Sequence, residues 1–206
     1  MNILLFISVM KDLYQKLEFY LKDSYKIVFM GLGEEKLTDD GVGPYVISEL
    51  LINFKMVNPF KGKFLFINAG TDPMARIEEI ISFNPSHLIL IDTCTLNKPP
   101  GTVAIIERGD ISEYVPISSH TIPIHIVIDL ILKKVPDMKV IMIGFVPESL
   151  EGFKDLKLYR GDEINFDDFG KNIDLPFFKI NLTNKIQEAA LQVLEIIKKL
   201  IKKFGN

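Results

Sequence analysis

The stretch KIVFMGLGEEKLTDDGVGPYVISELL, residues 26–51, holds a strand, a loop and a helix in one piece. KIVFMG is an apolar run of strand length, rich in residues that suit a pleated, buried surface. Gly31, Gly33, Gly41 and Gly43 punctuate the loop that follows. Pro44 then falls in the first turn of a helix, a favoured position because its missing N–H has no partner there anyway. Val46, Ile47, Leu50 and Leu51 give that helix one apolar stripe.

The same alternation continues outward. Strands are predicted at 63–68 (KFLFIN), 87–92 (HLILID), 102–107 and 139–146 (KVIMIGFV). Helices are predicted at about 8–22, 73–82, 121–134 and 183–203. In the first of these, Leu13, Leu17, Tyr20 and Leu21 share a face. Strands alternating with helices imply a three-layer α/β/α fold on a five-stranded sheet. Only a turn, not a helical crossover, separates strand 87–92 from strand 102–107. That strand should therefore run antiparallel, which makes the sheet mixed and mostly parallel, hydrolase- or phosphorylase-like in layout. Ligands in such sheets gather at the carboxyl ends of the parallel strands. The loop with Asp40 and the strand end with Asp92 both lie there.

Composition narrows the function classes. The chain has 206 residues, 48% hydrophobic and 25% charged. It is expected to form one domain over 1–206, with a helical extension at 1–23 and an insertion at 152–181. The insertion shows no sustained periodicity. The net charge of −3 leaves no basic footprint for nucleic acid. The basic run KKLIKKFGN, 198–206, reads as the solvated end of a helix, with cations set against the helix dipole. Cys94 is the single cysteine, so no internal disulfide is available and a reducing, cytoplasmic setting is expected. MNILLFISVM at the start lacks a basic leader and a cleavage site, and is too short to span a bilayer.

Each candidate functional residue also has a plain structural reading. GLGEEK carries G-x-G but lacks the third glycine of a dinucleotide loop, and Glu34 and Glu35 would repel a pyrophosphate. Asp39 reads as a helix N-cap. Asp40 suits a cap or a functional role equally. Asp92, after four apolar residues, is costly unless it meets solvent, a donor or a cation. His87 and His125 read as packed structural histidines, and Cys94 as a buried, inert thiol rather than a nucleophile. Taken together, Asp40, Asp92 and His120 form a set of two carboxylates and an imidazole suited to a divalent metal.

GLGEEKLTDDGVG (31–43), NAGTDP (68–73), HLILID (87–92), SSHTIP (118–123) and GFVPESL (144–150) occur in that order. In this the chain resembles the [NiFe]-hydrogenase maturation endopeptidases, over about 25–151 plus the last helix. The resemblance implies that Asp40 is the metal-sensing carboxylate and that Asp92 and His120 complete the catalytic and metal-contacting set. It implies cleavage of a C-terminal extension from the precursor of a hydrogenase large subunit, licensed by nickel that arrives with that substrate. A monomer, open to a large protein partner, is expected. The alternative is a checkpoint factor that binds the same precursor without cutting it. A third reading is a small-molecule hydrolase or phosphorylase on a similar sheet. The chain departs from the family pattern at Glu34, Glu35 and Lys36, at Asn68–Ala69–Gly70–Thr71, and at 152–181. Glu34 is expected to bring a further carboxylate near the site.

Overall fold

A computed structural model describes residues 3–55, 62–114, 122–151 and 181–205. The order is α1 (Ile3–Tyr20), β1 (Ile27–Leu32), a 3₁₀ turn (Thr38–Gly41) running into α2 (Val42–Lys55), β2 (Phe64–Gly70), a 3₁₀ turn (Pro73–Arg76) into α3 (Ile77–Phe83), β3 (His87–Thr93), β4 (Val103–Glu107), a 3₁₀ turn (Arg108–Asp110), α4 (Ile124–Leu132), β5 (Lys139–Phe145) and α5 (Asn184–Gly205). The first helix starts earlier than its apolar spacing predicts. The expected insertion, apart from Asn181, lies outside the described residues.

The sheet has five strands in the order β2-β1-β3-β5-β4. All neighbours are parallel except β4 with β5. The antiparallel strand is thus where the short connection requires one, but it pairs with β5, not with β3 from which it departs. Every residue of β1 and β3 is buried. That follows from their central place, where both strand faces must be apolar.

Two cores flank the sheet. On one face Phe29, Ile89, Ile91 and Ile143 pack with Leu13, Leu17 and Leu21, with Val46, Ile47 and Leu50 of α2, and with Val193, Ile197 and Leu200 of α5. On the other face Met30, Leu88, Leu90 and Met142 pack with Ile80 of α3 and with Val127, Ile128 and Ile131 of α4. The split follows strand alternation, odd residues of β3 on the first face and even ones on the second. Phe29 stacks on Phe66 at 5.8 Å, and Phe66 on Phe54 of α2 at 5.9 Å. The basic end of α5 is tied down: Lys203 Nζ donates to Glu18 Oε1 at 2.6 Å, linking α5 to α1. No helix among the described residues is long and apolar enough to cross a membrane.

Candidate active site

From β1 the chain crosses to β2 on one side and later returns to β3 on the other. Such a reversal opens a crevice beyond the carboxyl ends of the two central strands. The turn Thr38–Gly41 follows β1 into this crevice, and Asp92 and Thr93 close β3 beside it.

Two glycines explain why the turn sits so low on the sheet. Gly33 has φ +121°, and a Cβ there would stand 1.8 Å from the Asp40 carbonyl oxygen. A Cβ on Gly43 would stand 2.3 Å from the carbonyl oxygens of both Ile91 and Leu32. The start of α2 therefore rests directly on the backbone of β1 and β3. The glycines that mimic a dinucleotide loop serve this contact.

Asp40 is fully buried. Its Oδ2 accepts from the Glu34 N–H at 2.8 Å, and its Oδ1 accepts from Thr93 Oγ1 at 3.0 Å. Asp92 is also fully buried, and its Oδ1 accepts from the Thr93 N–H at 2.7 Å. By strand alternation Thr93 faces α2 and Asp92 faces the α3–α4 layer. One residue thus joins two acids that come from opposite sides of the sheet. Sequence reasoning did not single out Thr93; its only signal was adjacency to Asp92.

His120 lies outside the described residues, as do 115–121 as a whole. The chain re-enters at Ile122, which packs on the α3–α4 core, the side that Asp92 faces. Among the described residues no three acids, histidines or cysteines form a metal-sized cluster.

Asp39 has the structural role expected of it but not as a cap of its own helix. Its Oδ2 accepts from the N–H groups of Glu148 and Ser149, both at 2.9 Å, and from Thr183 Oγ1 at 3.1 Å. Its Oδ1 accepts from the Thr183 N–H at 2.7 Å. It holds the start of α5 and the segment after β5 against the 3₁₀ turn. Placing a carboxylate at the amino end of α5 also suits that helix's dipole. Thr38 beside it has φ +33°, costly for a β-branched residue, and its hydroxyl donates to the Glu151 carbonyl.

The remaining candidates separate cleanly. The Glu34 carboxylate turns back to accept from the Lys36 N–H at 3.1 Å, so it is engaged within its own loop. Two departures from the family pattern meet each other: Asn68 Nδ2 donates to Glu35 Oε1 at 2.9 Å. His87 is buried at the opposite end of β3, where Nδ1 meets Ser86 Oγ at 3.0 Å and Nε2 meets the Tyr20 carbonyl at 3.1 Å. His125 is not packed as expected. It is exposed on α4, on the face turned away from buried Ile124, Val127 and Ile128. Cys94 is fully buried, and burial first, then the Asp92 charge, pushes its thiol up to about 12. A thiol so held does not form a thiolate near neutral pH.

Fold and site together define an α/β protein with a carboxylate centre at the reversal point of its sheet. The hydrogenase maturation protease family model matches residues 44–158, a span that includes Asp92 and His120 and begins just after Asp40. A Methanocaldococcus jannaschii protein whose name places it among the hydrogenase maturation proteases is 35% identical over 134 residues, covering 64% of this chain and 78% of that one. The hydrogenase 3 maturation protease of Escherichia coli K12 is 28% identical over 121 residues, covering 59% and 72%. In structure, the [NiFe] hydrogenase maturation protease HycI of Thermococcus kodakarensis matches with TM-score 0.65 at 20% identity, covering 90% of this chain and 98% of that one. The hydrogenase maturating endopeptidase HybD of E. coli matches with TM-score 0.59 at 20% identity, covering 86% and 93%. The chain belongs to the hydrogenase maturation proteases, enzymes that hydrolyse peptide bonds.

Proposed function

We propose that this protein removes the C-terminal extension from the precursor of a [NiFe]-hydrogenase large subunit once nickel has been inserted. The observation that carries the proposal is the pair Asp40 and Asp92, both buried and joined through Thr93 at the β1–β3 crevice. Two carboxylates buried beside one strand end are favoured in their charged form by a nearby cation. In this reading the cation is the substrate's nickel, held by the precursor's own thiolates. Asp40, Asp92 and His120 meet it only when the precursor docks.

The selectivity then has an electrostatic origin. Without nickel, two carboxylates would face thiolates with no intervening positive charge, and the precursor would be repelled. With nickel in place, the metal polarises the scissile carbonyl or the attacking water. In this reading His120 takes the proton from that water. Asp40→Ala and His120→Ala should each abolish processing of loaded precursor while keeping the far-ultraviolet circular dichroism of the fold. Cutting by both variants at the wild-type rate would refute these roles.

A further inference from the structure

We propose that Thr93 is a positioning residue whose hydroxyl, rather than its bulk, sets the geometry of the two carboxylates and hence the rate of the cut. The proposal rests on the function proposed above. Thr93 ends β3, the central strand between β1 and β5, and is fully buried. At a buried strand position of this kind valine would pack as well and bring no polar atom. A buried hydroxyl is costly unless it is hydrogen-bonded. Here Oγ1 spends its proton on Asp40 Oδ1 at 3.0 Å, across 53 positions of sequence.

The geometry makes this contact a setting device. Asp40 arrives on a 3₁₀ turn, a short element with little rigidity of its own. Its carboxylate is held at one oxygen by Glu34 N–H and at the other by Thr93 Oγ1. Two bonds, one on each oxygen, define the plane of a carboxylate that offers about four lone-pair directions in all. The anchor on the other side is stiff: Thr is β-branched, with restricted χ1, and its backbone is paired in the sheet. The same residue's N–H holds Asp92 Oδ1 at 2.7 Å. Asp40 and Asp92 are therefore referenced to one rigid point, and on the Asp40 side the tie is the hydroxyl bond.

The experiment compares wild type, Thr93→Val, Thr93→Ala and Thr93→Ser, each as the full chain, on nickel-loaded precursor under single-turnover conditions. The maximal rate and the half-saturating concentration are read by intact mass spectrometry, and folding by thermal unfolding. Loss of a group that orients a metal-contacting side chain costs about 10–100-fold in activity. The expected result is that loss in maximal rate for Val and Ala, little change in half-saturating concentration, and recovery of most of the rate with Ser. If Val melts early, Ala, which demands no space, decides the outcome. Wild-type rates for Val or Ala overturn the proposal, as does a Ser variant as slow as Val. Precursor left uncut by wild type would instead overturn the proposed function itself.

Discussion

Asp39 and Asp40 are adjacent, chemically identical and fully buried, yet the fold separates their work. Asp39 takes four donors from two distant segments, whereas Asp40 reaches the end of β3. Their spacing in sequence marked both as notable but left the division open, because it depends on what each carboxylate meets across the fold. Thr93 was illegible for the same reason, its partner being far away in the chain. His87 was legible as structural, and its environment gives a pH prediction. Burial holds its imidazole below the ordinary value, with Asp23 opposing that shift and Lys139 adding to it. As pH falls, the unfolded chain binds this proton first, near about 6.5, while the folded chain resists it. The stability from neutral His87 is present above that pH and is lost as pH falls toward the folded pKa. The wild-type melting temperature should therefore drop from neutral pH to about pH 5, and His87→Gln should show a flatter profile. An equally steep profile in the variant would contradict this. Asp23, depressed chiefly by its bond to Lys139, acts in a lower window and does not confuse the test. Cys94→Ala should process precursor at close to the wild-type rate, and thiol reagents should label Cys94 only on unfolding. Labelling of the native protein would contradict its burial.

At the scale of elements, the strands were legible because continuous apolar runs leave little choice, and the helices because their stripes are regular. The contact of α2 with the strand ends was not, although the glycines that permit it stood in plain view. Glycine serves positive φ, close approach and phosphate binding alike, and only the packing tells these apart. Gly43→Ala should lift α2 from Ile91 and Leu32, since its Cβ would meet their carbonyl oxygens at 2.3 Å. Overpacking of this kind costs about 1–3 kcal/mol or more, and processing should fall with it because Asp40 moves too. Wild-type stability and rate in that variant would show the contact to be unimportant. The Asp39 clasp carries a larger stake. Charge-assisted hydrogen bonds contribute about 1.5–3 kcal/mol each, and Asp39→Ala strands several donors at once, so a loss of about 3 kcal/mol is expected. For a chain of this length that lowers the melting temperature by about 6–12 °C. A shift within experimental error would mean that water replaces the carboxylate without cost.

For the whole molecule, the layer order and the antiparallel strand followed from element order and loop length. The position of β4 outside β5 did not, because a short connection states direction but not which strand will later fill the gap. The site emerges at the same level: Asp40 reaches Thr93, the neighbour of Asp92, only because β1 and β3 lie side by side where the chain reverses its order. That crevice, beside which both carboxylates are buried, is where the proposed function sets its selectivity. Purified protein should be incubated with nickel-loaded and nickel-free precursor of the large subunit, and loss of C-terminal mass followed by intact mass spectrometry. A nickel-gated cut predicts cleavage of the loaded form alone. Equal cleavage of both forms, or stable binding of the loaded form with no loss of mass, would contradict it.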